Sequence, residues 1–361
     1  MQPGQTSWEQ EPADAALAAR LRYADDRRPG LRRIGTAGNF VYLLPGGAPL
    51  TDPGQLARIE ALGIPPAWTD VWIAPRPYYH IQATGRDAKG RKQYKYHARW
   101  REVRDEAKFN KMIDFGESLP EIRERVRRDL ARSGLPRTKV LAAVTALLDI
   151  THLRIGNEEY ARENQTYGLT TLRNDHVAVK GSAIHVEFIG KAHKRHMVDL
   201  SDRRLARVIR RCRDLPGQEL FTYLENGEPR PVNSDDVNEY LREVSGRDFS
   251  AKDFRTWAGT LVAARALWET GTVDCRTTAK RQVTAAIRAA AGHLGNTPAV
   301  CRKSYVHPAV IGAYLDGTLF QGSSEPSRPA PSLAALEQEE ERLLRFLRRV
   351  AGIHANELGA A

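Results

Sequence analysis

A tyrosine and several cationic side chains stand in four distinctive segments between residues 154 and 305. The segments are Arg154-Ile155-Gly156-Asn157, Phe188-Ile189-Gly190-Lys191, Lys252-Asp253-Phe254-Arg255-Thr256-Trp257, and Gly295-Asn296-Thr297-Pro298 with the following Lys303-Ser304-Tyr305. A tyrosine hydroxyl can act as a covalent nucleophile, and guanidinium groups match the geometry of phosphate oxygens. An isolated arginine is usually solvated and an isolated tyrosine usually packs, so each segment alone is a weak signal. The ordered combination carries the information.

Motifs for other common chemistries are missing from the sequence. It contains no Gly-x-x-x-x-Gly-Lys-Ser/Thr loop for ATP phosphates, no Asp-x-Asp pair and no His-Glu-x-x-His zinc motif. His193 and His196 are close together, but the charge of Lys191, Lys194 and Arg195 beside them would repel a metal cation. We therefore expect neither a metal nor a nucleotide cofactor.

The charge balance favours a polyanionic partner. Lys and Arg number 55 against 44 Asp and Glu, which gives a formal net charge of +11. Nucleic acid is the leading candidate, and a basic enzyme of small metabolites stays open on charge alone. A chain of 361 residues also exceeds the usual size of one hydrophobic core, so more than one domain is expected.

The cysteines and the N-terminus indicate an intracellular protein without a membrane anchor. Cys212, Cys275 and Cys301 have no paired spacing, which argues against a disulfide framework. The first residues do not resemble a signal peptide, and no apolar run is long enough to span a bilayer. We expect a cytoplasmic or nucleoid-associated protein.

The hydrophobic pattern predicts an α+β fold, with a small antiparallel β-sheet domain before a larger, mainly helical domain that contains a β-hairpin. The expected divisions are a disordered N-terminus at 1–13, a sheet domain at 14–100, the helical domain at 101–321, a linker at 322–332 and an amphipathic helix at 333–361. This last helix is expected to pack against the body of the protein, with a partner-binding role as the less favoured alternative.

Individual elements follow from the same pattern. Predicted strands cover 40–44, 69–74, 78–83 and 94–100 in the sheet domain, and 176–180, 184–188 and 197–200 around a basic turn at 190–194. Predicted helices cover 15–23, capped by Asp14, and 202–213, 234–244, 254–268, 277–294 and 309–316.

Together and in this order, the segments resemble the type IB DNA topoisomerases, specifically the compact poxvirus-type enzymes and their bacterial relatives. The resemblance runs from about Leu21 to about Leu319 and includes the stretches 85–94 and 163–169. It implies a catalytic fold related to that of the tyrosine recombinases, two domains that form a clamp around double-stranded DNA, and no metal or nucleotide. Because one chain builds the clamp, a monomer is expected.

The resemblance also implies the catalytic roles. Tyr305 is the expected nucleophile, which forms a 3′-phosphotyrosine and frees a 5′-hydroxyl. Arg154 and Arg255 are expected to stabilise the transition state in place of a metal, and the resemblance also implies a share in the proton relay for Arg154. Lys191, at the hairpin tip, is the expected general acid that protonates the departing 5′-oxygen.

One position departs from the family pattern. Many members have His where this chain has Asn296, and an amide can donate a hydrogen bond but cannot carry a proton or a charge there. Asn296 is therefore assigned hydrogen bonding to a nonbridging phosphate oxygen. His293, three residues earlier, is interpreted as a packing residue.

A basic and aromatic stretch in the first domain is the predicted DNA-holding surface. Its residues are Arg86, Lys89, Arg91, Lys92, Tyr94, Lys95, Tyr96 and Arg99. Strand alternation would put Lys92, Tyr94 and Tyr96 on one face, and similar strands of the family lie in the major groove. A second basic stretch, 123–137, fits either a DNA-tracking surface or a charged helix face.

Two other functions stay open at this point. A tyrosine recombinase uses the same phosphotyrosine chemistry, but it usually has His-x-x-Arg where this chain has Lys252 three residues before Arg255. A DNA-binding protein with a decayed catalytic centre is the second alternative, for which Asn296 is the one indication.

Overall fold

The computed structural model describes residues 16–17, 19–273, 275–320 and 333–359. The predicted segments 1–13 and 322–332, and the proposed cap at Asp14, lie outside the described residues. Contacts divide the chain into two compact units, Met1–Phe109 and Asn110–Ala361.

The first unit is built on a five-stranded antiparallel sheet with strand order β2-β1-β3-β4-β5. The strands are β1 (Leu31–Thr36), β2 (Asn39–Leu43), β3 (Thr69–Ile73), β4 (Ile81–Arg86) and β5 (Lys92–Tyr96). A short helix, α1 (Pro53–Ala61), contributes Ile59 to a core that includes Leu31 and Ile73. The predicted antiparallel sheet is confirmed.

The first unit also corrects two sequence-based assignments. The strand predicted at 94–100 ends at Tyr96, and a long helix begins at Ala98 because Trp100 packs into a small core with Ala16, Ala19 and Leu21. The predicted strand at 78–83 begins later, at Ile81. Strand β1 and helix α1 were not predicted.

The second unit is mainly helical. Its helices are α2 (Ala98–Leu130, which begins in the first unit), α3 (Arg137–Thr151), α4 (Glu158–Asn164), α5 (Arg203–Arg213), α6 (Ser234–Ser245), α7 (Ala251–Thr270), α8 (Arg276–Leu294), α9 (Pro298–Ser304), α10 (Pro308–Leu315) and α11 (Leu333–Gly359). Its strands are β6 (Val177–Lys180), β7 (Ala183–Gly190) and β8 (Lys194–Ser201) in one antiparallel sheet, and β9 (Thr222–Glu225) and β10 (Glu228–Pro231) in a hairpin. The predicted helical body with its β-hairpin is confirmed.

Helices α3 and α7 form the centre of the core and determine where the site lies. Residues 140–145 of α3 are fully buried, and α7 is buried on nearly all sides from Phe254 to Leu261. A helix that is apolar all round has to lie inside a protein. The ends of these two helices are therefore rigid points from which functional side chains can project.

The C-terminal helix α11 packs on this core, as its pattern predicts. Leu343, Phe346 and Leu347 are buried. The buried carboxylate of Glu340 accepts hydrogen bonds from Arg123, at 2.7 and 2.9 Å, and from the Trp257 indole at 3.0 Å. No helix within the described ranges has the length and apolar character that crossing a bilayer requires.

Candidate active site

A cavity of about 340 Å³ in the second unit brings four of the five predicted catalytic residues together. Its lining consists of Arg154, Ile155, Gly156, Asn157, Tyr160, Thr166, Tyr167, Lys191, Ala251, Lys252, Arg255 and Tyr305. The fifth residue, Asn296, accepts a hydrogen bond from Arg154 through its amide oxygen. None of the described residues that line the cavity is acidic, so the cavity is strongly cationic.

Arg154 is placed by a tight loop that follows α3. The amide of Leu169 donates to the Arg154 carbonyl at 2.9 Å, and the amide of Thr170 donates to the Ile155 carbonyl at 2.7 Å. Gly168 permits this approach, because a Cβ there would lie 2.5 Å from the backbone nitrogen of Gly156. The loop therefore holds the arginine from its backbone.

Arg255 is almost wholly buried, with 4% of its surface exposed. Its Nη1 donates to the His152 carbonyl, and its Nη2 donates to the Leu294 carbonyl at 2.8 Å. The guanidinium carbon lies 5.2 Å from the centre of the Tyr305 ring, within cation–π range. The guanidinium is thus fixed beside the phenol by carbonyls from two different helix ends.

Three buried donors around this point have no hydrogen-bond partner among the described residues: Arg154 Nη1, Arg255 Nε and Asn296 Nδ2. Leaving a buried donor unsatisfied costs about 1–3 kcal/mol, and more when it is charged. Burial, together with the charge of Arg255, lowers the pKa of Arg154. A bound anion would satisfy all three donors and relieve the repulsion, which makes the position a candidate phosphate site.

Tyr305 ends helix α9 and is held by α7. Its amide donates to the Cys301 carbonyl at 2.9 Å, and its carbonyl accepts from the Thr260 hydroxyl at 3.1 Å. Gly259 of α7 lies against this backbone. A Cβ added to Gly259 would come 2.6 Å from the Tyr305 carbonyl oxygen and 3.1 Å from the Tyr305 Cβ. The backbone of Tyr305 therefore rests against a glycine of the central helix.

Replacing Gly259 with alanine is expected to lower any activity that depends on Tyr305 at least tenfold, because the added methyl group has to push Tyr305 away from Arg255. Gly292→Ala in α8 is the matched control: a Cβ there meets nothing within 4 Å. That control should keep its activity and gain about 0.5–1 kcal/mol in free energy of unfolding, as measured by urea denaturation. Full activity of Gly259→Ala would contradict this placement of the tyrosine.

Lys191 is exposed at the turn between β7 and β8, and its ammonium nitrogen lies 6.0 Å from the centre of the Tyr160 ring. The next two residues, Ala192 and His193, have left-handed backbones with φ of 64° and 54°. Such conformations cost non-glycine residues roughly 1 kcal/mol or more and often occur at functional sites. The turn is consistent with a hairpin built to present the lysine.

His196 is a neighbour of the site that the sequence analysis dismissed as a metal ligand and did not otherwise use. Its ring stacks on Phe188 with centroids 5.2 Å apart. A Cβ on Gly190 or Gly295 would come within 2.6 or 2.8 Å of this ring, so the imidazole packs against both glycine backbones. Burial lowers its pKa, and the charges of Arg154 and Arg255 lower it further. A neutral ring thus packs between the residues that precede Lys191 and Asn296.

In the first unit, the predicted DNA-holding cations are paired with carboxylates that the sequence analysis did not consider. Arg86 lies 3.5 Å from Asp70, Arg91 lies 2.6 Å from Asp87, and Lys92 lies 2.6 Å from Asp26. Hydrogen bonds from Arg91 lower the pKa of Asp87 to about 2. Exposed ion pairs of this kind add little to stability, so a phosphate can replace the carboxylate at little cost.

The aromatic part of this surface has the predicted arrangement. The Tyr94 and Tyr96 rings stack at 5.7 Å with an interplanar angle of 9°, and the Lys92 ammonium lies 5.5 Å from the Tyr94 ring. These three side chains share one face of β5. Lys89 is exposed at the β4–β5 turn, Lys95 is half-buried on β5, and Arg99 lies in helix α2 rather than in the strand.

Arginines of the second basic stretch, 123–137, form ion pairs within the second unit. Arg125 and Arg132 both pair with the buried Asp129, at 2.9 and 2.6 Å. Arg137 pairs with Asp236 at 2.8 Å. These contacts favour the interpretation as a charged, structurally engaged helix face over a DNA-tracking surface.

Comparisons with known proteins identify the family of the chain. Residues 97–318, more than half of the chain, match the family model described as the catalytic core of eukaryotic DNA topoisomerase I, and residues 39–87 match the N-terminal domain of bacterial DNA topoisomerase IB. DNA topoisomerase 1B of Acanthamoeba polyphaga mimivirus is 33% identical over 299 residues, which cover 81% of this chain and 89% of that protein. The Monkeypox virus DNA topoisomerase I and the Vaccinia virus (strain Copenhagen) DNA topoisomerase 1B are 23% and 22% identical over 278 residues, which cover 74% of this chain and 85% of each relative.

Most of the matched catalytic core therefore lies in the second unit, the matched N-terminal domain lies in the first unit, and the chain belongs to the type IB DNA topoisomerases.

Proposed function

We propose that this enzyme relaxes positive and negative supercoils without metal or ATP, by cleaving one strand through a 3′-phosphotyrosine and resealing it. The observation that carries the proposal is the set of three unpartnered buried donors next to Tyr305, in a cavity whose described lining has no carboxylate. Magnesium sites in phosphoryl-transfer enzymes rely on carboxylates. Here the corresponding positive charge is available from arginine.

In the cleavage step, the Tyr305 oxygen forms a bond to the scissile phosphorus as the phenol gives up its proton to solvent. The bond from phosphorus to the 5′-oxygen breaks in the same displacement, and the Lys191 ammonium transfers its proton to that oxygen. Arg154, Arg255 and the Asn296 amide donate hydrogen bonds to the nonbridging oxygens, where charge accumulates in the transition state. Asn296 is suited to this because its amide oxygen is already occupied by Arg154 and its amide nitrogen is unpartnered.

Religation reverses each of these transfers. The phosphotyrosine ester keeps the energy of the original phosphodiester, so the 5′-hydroxyl can attack it without an external energy source. Between the two steps the downstream duplex rotates, and torsional strain gives the rotation its direction. Supercoils of either sign should therefore relax.

For DNA binding, we propose that the face of β5 with Lys92, Tyr94 and Tyr96 contacts the duplex, together with the surrounding cations Arg86, Lys89, Arg91, Lys95 and Arg99. We also propose that the two units enclose the duplex and that the enzyme acts as a monomer. Because phosphate contacts release counterions, binding should weaken steeply as salt increases.

Plasmid relaxation tests the proposal. A supercoiled plasmid without any special recombination site is incubated with the purified protein in excess EDTA and without nucleotide, and topoisomers are resolved by electrophoresis. We expect both positive and negative supercoils to be removed at the rate seen with Mg²⁺. A strict requirement for a divalent cation or ATP would contradict the proposal, and DNA binding without a covalent adduct would favour the decayed DNA-binding protein.

The same experiment separates the topoisomerase from a tyrosine recombinase. A recombinase needs defined paired sites and a multimer, whereas relaxation by the proposed enzyme should proceed on any plasmid and vary linearly with protein concentration. Lys252 lines the cavity at the position where recombinases usually have His, so the cavity itself differs from the recombinase pattern.

A further inference from the structure

Two histidines outside the described lining of the cavity join the chain segments that hold Arg255. His293 Nε2 lies 2.9 Å from His152 Nδ1, so one ring donates a hydrogen bond to the other. The ring centroids are 5.0 Å apart. His152 caps the end of α3, and His293 is the penultimate residue of α8, so the bond ties two helix ends that are far apart in sequence.

The same two helix ends supply the carbonyls that anchor Arg255. One carbonyl belongs to His152 itself, and the other belongs to Leu294, the residue after His293. His152 has a left-handed backbone, with φ 52° and ψ 24°, a conformation that few non-glycine residues adopt. The guanidinium thus spans a gap whose width depends on how closely the two helix ends approach each other.

We propose that the His152–His293 pair is a positioning device for Arg255, in which the hydrogen bond between the two rings holds the anchoring carbonyls at the spacing that the guanidinium spans. This inference rests on the proposed function, because it assigns the pair a role in the cleavage step. The imidazoles touch no reacting atom in this scheme and act through Arg255.

The charged groups around the pair set its pH dependence. The groups that face it are Arg255 and Arg265 from α7, Arg123 from α2 and Glu340 from α11. Burial lowers the pKa of His152 to about 3, with His293 and Arg255 adding to the effect, and burial with Arg265 and Arg255 lowers the pKa of His293. Glu340 opposes this at His152, but its carboxylate is shared with Arg123.

The sign of the pH effect follows from these shifts. Both rings are neutral at pH 7, so the hydrogen bond between them is formed there. As the pH falls below 6.5, the ordinary histidine value, and reaches the lowered pKa of His293, a proton adds a cation beside Arg255. Repulsion between this cation and Arg255 then opposes the spacing that the hydrogen bond holds. The positioning of Arg255 by the pair is therefore present at neutral pH and is lost on acidification.

Three variants test the proposal by the rate of covalent adduct formation on supercoiled plasmid, with enzyme in excess and detergent as the trap. His293→Ala should be roughly tenfold slower than wild type at pH 7.5, because the hydrogen bond that ties the two helix ends beside Arg255 is lost. His293→Gln can still hydrogen-bond to His152 and should stay within about twofold of wild type. His185→Ala, at a histidine that pairs with Asp199 on the sheet, is the control and should be unchanged.

The pH profile adds a readout that a purely structural role would not move. The ratio of the wild-type rate to the His293→Gln rate should fall as the pH decreases from 7.5 to 5, because glutamine does not titrate. A constant ratio would overturn the proposal, as would a His293→Gln variant as slow as His293→Ala, or a His293→Ala variant as fast as wild type.

A double variant tests whether the pair acts through Arg255. If it does, Arg255→Ala combined with His293→Ala should be no slower than Arg255→Ala alone, since residues that act as a unit are not additive. A further tenfold loss in the double variant would overturn the proposal. If the wild-type protein itself forms no adduct, the proposed function has failed rather than the role of the pair.

Discussion

Replacing Tyr305 with phenylalanine is expected to abolish DNA cleavage, lowering the rate of covalent adduct formation by about 10⁵-fold or more. The phenolic oxygen is the proposed nucleophile, and phenylalanine provides no other atom that can attack phosphorus. The ring itself would remain under the Arg255 guanidinium, 5.2 Å from its centre, so the cationic site should stay assembled. The measurement is detergent-trapped adduct on plasmid DNA.

The control for this variant is its DNA affinity. Because Tyr305 is half-buried and phenylalanine preserves its packing, binding at fixed salt and the thermal midpoint of unfolding should match those of wild type. Relaxation activity retained by Tyr305→Phe would show that another residue is the nucleophile. Loss of binding together with cleavage would mean that the hydroxyl has a role in holding DNA.

Replacing Lys191 with alanine is expected to slow cleavage by about 10²–10⁴-fold, the usual contribution of a positioned general acid. The 5′-oxygen leaves as an alkoxide unless it is protonated, and Lys191 is the lysine of the cavity that the hairpin turn presents. Lys191→Arg separates the charge of this side chain from its ability to donate a proton. The guanidinium keeps the charge but holds its proton too tightly to donate it. It should be nearly as slow as alanine, whereas a rate close to wild type would mean that charge alone matters.

A modified substrate isolates the proton transfer. Once a cleavage site has been mapped, a duplex with a 5′-bridging sulfur at that site offers a leaving group that departs without protonation. Lys191→Ala should cleave this duplex within about tenfold of the wild-type rate, while Arg255→Ala should remain slow because its role is transition-state stabilisation. Equal slowing of Lys191→Ala on both substrates would remove the general-acid role.

The elements that sequence could predict are those with a long apolar period. Helix α7 was predicted at 254–268 and extends to Ala251–Thr270, since an apolar pattern defines the interior of a helix better than its ends. Helix α1 is only nine residues long, and its signal was the Asp52-Pro53 start, in which Asp52 accepts from the Gln55 amide. The β9–β10 hairpin likewise had a local signal, the Asn226-Gly227 turn with positive φ at both residues.

The site divides in the same way. The sequence could predict the proposed catalytic residues for two reasons. The chemistry of an arginine, a lysine or a tyrosine is a property of the side chain itself, and the motifs that contain them follow one another in the order typical of the family. The two carbonyls that accept hydrogen bonds from Arg255 could not be predicted. They belong to His152 and Leu294, which are 103 and 39 residues away in sequence, and no local pattern encodes such contacts. The Lys92–Asp26 ion pair of the first unit could not be predicted either, because its two residues are also far apart in sequence.

The most direct test of the account is the identity of the covalent link. DNA trapped on the protein by detergent is digested with nuclease and the protein with protease, and the nucleotide-bearing peptide is sequenced by mass spectrometry. We expect a nucleotide joined through its 3′-phosphate to Tyr305. Attachment to another residue, or through a 5′-phosphate, would contradict it.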